Sequence, residues 1–207
     1  MATSEPSVAR PGLRERKKQQ TRDTIARVAL ELFAERGYDE TTLAEIADAA
    51  DVSTRTIFAY FHSKEDILFC EEPAFIEQLK QALEQRPSGV TTIDVLRDFI
   101  QSSGPPDQHR KLRKQIVRSN EELRLGERGR FARVEDLIAE SIARDLGAGP
   151  GDIRPPLVAA SMTAAFFSMS ERLESKSGEP ISHEQAMAVA DQVLVFLRSG
   201  LDGLARS

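Results

Sequence analysis

The feature that most constrains the fold is the spacing of apolar residues, which recur every three or four positions along most of the chain. Ile25, Val28, Ala29, Leu32 and Phe33 follow this spacing, which places them on one face of an α-helix. Similar segments are separated by short stretches rich in Gly, Pro and Ser. No segment has a convincing strand pattern. The spacing therefore predicts an all-α protein of about nine helices.

Two short helices are predicted near the N-terminus. Thr42 and Glu45 have the spacing of a capping box, in which two side chains satisfy free backbone N–H groups at a helix start. A turn at residues 51–53 separates this helix from a second one, which Ser53 would cap. A longer helix at about residues 14–36 precedes both. The three together predict a helix-turn-helix.

The same segment resembles a known family. The stretch TTLAEIADAADVSTRTIFAYFHSKEDIL resembles the DNA-binding signature of TetR-type transcriptional regulators, and ALELFAERGYDETT resembles the end of that family's first helix. The resemblance covers about residues 20–70. It implies an N-terminal three-helix bundle with the helix-turn-helix, followed by a C-terminal helical domain for ligand binding and dimerisation. We expect a flexible tail at 1–12, the DNA-binding domain at 13–63 and the second domain at 64–207.

The second short helix supplies the groups that would touch DNA. A helix fits the major groove, and small or polar residues at its start can reach base edges. We expect Thr54 and Arg55 to read bases, and Lys64 to contact a phosphate. The resemblance adds a phosphate contact near Thr42 and a backbone contact at Tyr60. The candidate DNA-binding residues are Arg14, Lys17, Lys18, Thr42, Ser53, Thr54, Arg55, Thr56, Tyr60 and Lys64.

Two positions depart from the family pattern. Phe58 stands where the family often has a Tyr, so a hydroxyl contact is expected to be missing. Asp51 stands where the turn usually has a Gly. An Asp can adopt the left-handed conformation that such a turn requires, at some cost.

The overall charge does not exclude DNA binding. The chain has a net charge of −5, whereas nucleic-acid-binding domains are often basic. However, residues 10–27 contain seven basic and only two acidic residues. This arm either enters the minor groove of DNA or serves as a disordered, solubilising tail.

The last two predicted helices indicate a dimer. The eighth and ninth helices, at about 154–174 and 183–204, are apolar around nearly their whole circumference. Such helices must be buried on more than one side. We therefore expect a homodimer through helices 8 and 9, which would form a four-helix bundle and present two DNA-reading heads to a palindromic operator.

A small-molecule site is predicted among the helices that follow residue 64. Phe and Met suit an adaptable apolar pocket. The alternative for each residue is an ordinary place in the core. The candidate wall residues are Phe69, Phe75, Leu79, Phe99, Ile116, Phe131, Met162, Phe166 and Met169.

A second basic cluster leaves two interpretations open. Residues 107–133 contain nine basic and four acidic residues, from Arg110 through Arg133. They would either bind an anionic ligand or form a solvated helix face.

Taken together, these patterns predict a ligand-responsive DNA-binding transcriptional regulator. We expect a repressor that a small molecule releases from a double-stranded palindromic operator. The alternatives are a DNA-binding regulator with no small-molecule effector, or an activator.

An enzyme is not expected, and neither is a metal or other cofactor. His62, His109 and His183 are far apart in sequence, and Met187 stands where a zinc-protease motif beginning at His183 would need its second ligand. Cys70 lies in an apolar stretch and is expected to be a buried thiol. No apolar run is long enough to span a membrane and no secretory signal is evident, so we expect a cytoplasmic protein without a membrane partner.

Overall fold

The structure is a computed structural model that describes residues 12–104, 107–172 and 183–205. Within these ranges the regular elements are all α-helices, as the apolar spacing predicted. The predicted tail, apart from Gly12, lies outside the described residues. The helices are α1 (Leu13–Arg36), α2 (Leu43–Ala49), α3 (Thr54–Phe58), α4 (Lys64–Leu68), α5 (Glu72–Glu84), α6 (Thr92–Ser102), α7 (Gln108–Ser119), α8 (Glu121–Arg130), α9 (Ala132–Leu146), α10 (Arg154–Arg172) and α11 (His183–Ala205).

Eleven helices are described, whereas about nine were predicted, and the difference lies in two segments. One helix was predicted at about 64–85 with Pro73 as a point where it could break, and the structure divides it into α4 and α5. The residues between the helices predicted at about 107–122 and 127–146 were expected to be a loop, but they lie in α8. Pro73 explains the first difference. A proline inside a helix clashes with the carbonyl four residues earlier, here that of Phe69, which is the C-cap of α4. The helix therefore ends at this point, and Pro73 lies in the first turn of α5.

The first compact unit comprises residues up to Cys70 together with Gln108–Asn120. In it α1 packs against α2, α4 and α7, and α2 packs against α3. Gly37 ends α1 with a φ of 97°, a backbone conformation that favours glycine. The core consists of apolar side chains that are almost completely buried, among them Ile25, Phe33, Ile46, Ile57, Phe61 and Ile67.

The second compact unit comprises Glu71–Asp107 and Glu121–Ser207. Helices α9 and α10 form its most extensive contact, and α5, α6 and α11 complete the packing. Polar contacts connect the end of α9 with the start of α6. Asp145 forms an ion pair with Arg86 at 2.6 Å, and its other carboxylate oxygen accepts a hydrogen bond from the Thr92 amide at 2.8 Å.

The compact units are defined by packing, whereas the ranges 13–63 and 64–207 were defined by expected function. Helices α4 and α7 pack with the first unit although they follow residue 63. The functional division stays a prediction. None of the described helices is both long and apolar enough to cross a lipid bilayer.

Candidate nucleic-acid interface

The first short helix begins with the predicted capping box. The Glu45 amide donates to the Thr42 hydroxyl at 3.2 Å, and the Thr42 amide donates to the Glu45 carboxylate at 2.8 Å. The Thr42 hydroxyl also donates to this carboxylate at 2.8 Å. The bond from the Thr42 amide first, and then the one from the Thr42 hydroxyl, lower the pKa of Glu45 below its usual value. The capping box therefore fixes the residue at which α2 starts.

The turn between the short helices has the expected left-handed residue. Asp51 has a φ of 53°, so the prediction for this position is confirmed. The Val52 amide donates to the Ala47 carbonyl at 2.9 Å, and the Asp51 amide donates to the Asp48 carbonyl at 3.1 Å. These bonds satisfy carbonyls at the end of α2 and reverse the chain. An Asp therefore supports the turn geometry that the family usually builds with Gly.

Helix α3 presents polar side chains at its start and apolar side chains to the core. The Ser53 hydroxyl accepts a hydrogen bond from the Thr56 amide at 3.0 Å, which confirms Ser53 as the N-cap. Thr54 and Arg55 are exposed. The guanidinium group of Arg55 has no hydrogen bond or ion pair within the described part of the chain. Both exposed side chains can therefore reach a groove of DNA. The buried side chain of Ile57 holds α3 against the core of the first unit.

Phe58 is the exception on this helix. The structure buries Ile57 and Phe61 but leaves 51% of Phe58 exposed. Phe58 was not among the candidate DNA-binding residues. Two signals pointed to it: the Tyr that the family often has at this position, and the four-residue spacing from Thr54, which puts both residues on one face.

Lys64 has a different environment from the one expected of a phosphate contact. Its Nζ donates to the carbonyls of Tyr38, Thr41 and Asp39 at 2.7, 3.0 and 3.2 Å. It also lies 4.6 Å from the centre of the Tyr38 ring. An ammonium group has three donors, and all three are used here. Lys64 therefore ties the start of α4 to the loop between α1 and α2, and its phosphate contact stays a prediction.

The other candidates lie on the outer parts of the same unit. Arg14, Lys17 and Lys18 are exposed and, at a spacing of three and four residues, share one face of α1. The basic segment is thus helical from Leu13 onward. Thr56 and Tyr60 are half-buried. That these residues contact DNA stays a prediction.

The second unit contains an apolar cavity of about 110 Å³. Helices α5, α6, α9, α10 and α11 contribute its walls, together with Phe131. Among the described wall residues Thr163 alone carries a hydroxyl, and that hydroxyl donates to the Ala159 carbonyl of its own helix at 3.0 Å. The walls include six of the predicted residues, namely Phe75, Leu79, Phe99, Phe131, Met162 and Phe166.

Three predicted wall residues are not among those that line the cavity. Phe69 and Ile116 are buried in the first compact unit, because α4 and α7 pack there. The side chain of Met169 lies outside the described residues. Helix α11 instead lines the cavity with Val193, Leu194 and Leu197. The sequence had indicated only a dimerisation role for this helix.

The second basic cluster does not belong to one compact unit. Its first five basic residues lie on α7 in the first unit, and Arg124, Arg130 and Arg133 belong to the second unit. Arg130 approaches the Glu72 carboxylate within 3.7 Å. An anionic ligand at this cluster stays a prediction.

The fold and the geometry of α2, the turn and α3 define the class as helix-turn-helix DNA-binding proteins. Residues 25–69 match the family model described as "Bacterial regulatory proteins, tetR family". The chain is 44% identical over 86 residues to the transcriptional regulator TcmR of Streptomyces glaucescens, a match that covers 42% of this chain and 38% of that relative. It is 29% identical over 194 residues to the transcriptional regulator MftR of Mycobacterium tuberculosis, covering 91% and 95% of the two chains.

Two solved structures share the fold over most of their length. The repressor SmeT of Stenotrophomonas maltophilia aligns with a TM-score of 0.62 and 21% identity, covering 86% of this chain and 90% of SmeT. The repressor NalD of Pseudomonas aeruginosa aligns with a TM-score of 0.62 and 22% identity, covering 89% and 97%. The chain is therefore similar to regulators of the TetR family, with the family's sequence pattern at residues 25–69 and the same fold as the solved repressors.

Proposed function

We propose that the protein is a homodimeric transcriptional repressor that binds a palindromic DNA operator and is released from it by a small apolar molecule. The observation that carries this proposal is the exposed pair Thr54 and Arg55 at the start of the capped helix α3. A guanidinium without an intramolecular partner can donate two hydrogen bonds to a guanine edge in the major groove. Such a role needs access to DNA, so we expect a cytoplasmic protein.

The dimer is supported by apolar side chains on the outside of α10 and α11. Leu157, Val195 and Phe196 are exposed by 55% to 77%. Exposed apolar residues on two helices that pack together indicate a surface that another molecule covers. A second copy of the same pair of helices would cover it and form a four-helix bundle.

The cavity indicates the chemical class of the effector. Its walls are apolar and its hydroxyl is already bonded within α10. A charged ligand would lose its hydration without gaining a partner there, so the effector is expected to be neutral and largely apolar. A cavity of about 150 Å³ holds benzene, so one of about 110 Å³ accepts an aromatic ring only when its Phe and Met side chains move to enlarge it. SmeT has been solved as a complex with triclosan.

The chain connectivity supports communication between the two units. Helix α7 belongs to the first unit, but it follows and precedes segments of the second unit in sequence. The backbone therefore passes between the units three times, near residues 70, 107 and 120. A ligand that binds better to the arrangement unable to bind DNA would shift the population toward that arrangement.

The first experiment selects the operator. Random double-stranded DNA is enriched on the full-length protein, and the affinity of the recovered duplex is measured by fluorescence anisotropy. We expect a palindrome whose half-site centres are about 34–36 Å apart or a multiple of this distance. Recovery of no preferred sequence, at an ionic strength that suppresses non-specific binding, would contradict the proposed function.

The second experiment tests the effector site. Neutral aromatic compounds are screened by calorimetry against the wild type and against Ala165→Phe, which places a ring in the cavity wall. We expect a compound that binds the wild type, weakens its operator binding and does not bind the variant. A compound that binds both proteins equally would place the effector site elsewhere.

The direction of regulation needs a separate measurement. A promoter that carries the selected operator drives a reporter in cells with and without the protein. Repression predicts higher expression in the absence of the protein, and restored expression when the effector is added.

A further inference from the structure

Helix α3 carries an exposed aromatic ring that, unlike the Tyr the family often has at this position, has no polar group. Phe58 is half exposed, whereas the neighbouring apolar residues Ile57 and Phe61 are buried. Single exposed apolar residues occur on many surfaces. Phe58 differs from those because of where it lies.

The helix geometry puts Phe58 in the middle of the exposed face. Successive residues of an α-helix are about 100° apart, so Phe58 lies about 40° from Thr54 and about 60° from Arg55 around the helix axis. Both neighbours are exposed polar residues. A surface that approaches Thr54 and Arg55 on this face therefore also approaches the ring of Phe58.

The chemistry of the major groove leaves few partners for a phenyl ring. Base edges there are hydrogen-bond donors and acceptors, with one apolar exception, the C5-methyl group of thymine. Phenylalanine has no group that could donate to a phosphate or to a base. Contact with the thymine methyl removes apolar surface of both partners from water.

Resting on the proposed function, the geometry points to Phe58 as a specificity-determining residue that selects thymine through its methyl group. The selected thymine lies next to the base read by Arg55, since the two side chains are neighbours on α3. A Tyr at this position could add a hydroxyl contact to the backbone, but Phe offers only the apolar one. The operator half-site therefore contains a thymine whose methyl group, not its hydrogen-bonding edge, is recognised.

The test removes the methyl group alone. In the duplex selected by the wild-type protein, each thymine is replaced in turn by deoxyuridine, which pairs identically but lacks the methyl. We expect one position per half-site at which this replacement weakens wild-type binding about fourfold, the value of one buried methylene or methyl group. In Phe58→Ala the same replacement should have no effect, and in Phe58→Tyr the effect should persist.

Two controls keep the outcomes distinct. Leu125→Ala removes an exposed apolar residue of the second unit and should leave the deoxyuridine response unchanged. Circular dichroism shows whether Phe58→Ala keeps the helical fold. If the wild type selects no operator, the proposed function fails. If it selects one but no thymine responds, or the response is equal in the wild type and Phe58→Ala, the assignment of Phe58 alone is overturned.

Discussion

At the scale of single residues, two cations of the first unit have opposite environments. Arg55 is exposed and its guanidinium group has no partner within the described residues, whereas Lys64 donates to three backbone carbonyls. A charge in the first setting is available to DNA, and a charge in the second stabilises the local fold. From the sequence alone, both residues were expected to contact DNA.

Arg55→Ala should weaken binding to the selected operator by about 1–3 kcal/mol and relax specificity at one base pair. The reason is the loss of a bidentate contact to a base edge. Gel-shift titrations against the operator and its single-base variants measure both effects. Arg133→Ala, which removes an exposed arginine of α9, is the matched control. Unchanged operator affinity of Arg55→Ala would exclude base reading by this residue.

Lys64→Ala should lower the free energy of unfolding by about 1–3 kcal/mol, since three carbonyls lose a charged donor. Thermal denaturation followed by circular dichroism measures this change. Lys80→Ala removes an exposed lysine of α5 and should have little effect. The slope of operator affinity against salt reports separately on a phosphate contact. Equal stability of the two variants would argue against the anchoring role.

At the scale of elements, side-chain caps decide where several helices begin. Thr42, Ser53, Ser63 and Thr91 each accept a hydrogen bond from the backbone amide three residues later. A cap acts only on its own first turn, so its sequence signature can be read without knowledge of the fold. This is why the starts of α2 and α3 could be predicted from Thr42, Glu45 and Ser53. Pro73 indicated that a break could occur in the segment that holds α4 and α5 but not that α4 ends before Phe69, because a proline is compatible with either a kink or a helix start.

The cap of α6 also gives a pH dependence. The Asp94 carboxylate accepts bonds from the Thr91 hydroxyl at 2.6 Å and the Thr91 amide at 3.0 Å, and pairs with Arg198 at 2.6 Å. The Thr91 hydroxyl first, and then the amide and Arg198, hold the pKa of Asp94 below its usual value. Because this pKa is lower in the folded chain, the stabilisation is complete above the unfolded pKa of about 4 and disappears as pH falls through the folded pKa.

Asp94→Asn should therefore lower the melting temperature at pH 7, and the difference from the wild type should shrink as pH falls below about 4. Thermal melts between pH 7 and pH 3 measure the difference. Asp98→Asn changes an exposed acid on the same helix and serves as the control. A difference that stays constant over this range would show that ionisation of Asp94 does not contribute.

At the scale of the whole molecule, helix α11 contributes to two different surfaces. Leu194 of α11 is buried and lines the cavity, whereas Val195 and Phe196 beside it are exposed. The same helix can thus form a cavity wall on one face and a dimer surface on the other. This would explain why its sequence is apolar nearly all round.

Phe196→Glu should convert the proposed dimer to a monomer, because each copy would bury a carboxylate in an apolar contact. Sedimentation equilibrium measures the mass. Binding to the full palindrome should fall, since one monomer contacts only one half-site. Leu125→Glu, a change of an exposed apolar residue on α8, is the control and should leave the mass unchanged. A Phe196→Glu protein with the mass of the wild-type dimer would place the interface elsewhere.

The sequence by itself determined the helical class and the capped starts of the short helices, because each depends on contacts within about four residues. The left-handed turn at Asp51 followed only from the resemblance to a family that usually has Gly there. Tertiary structure alone decided that Phe58 is exposed, that Lys64 is held by three carbonyls, and that α7 packs with the first unit. It also decided that α11 lines the cavity while Phe69 and Ile116 do not. The physical reason is that periodicity shows that a helix has an apolar face, whereas the partner of that face depends on residues distant in sequence.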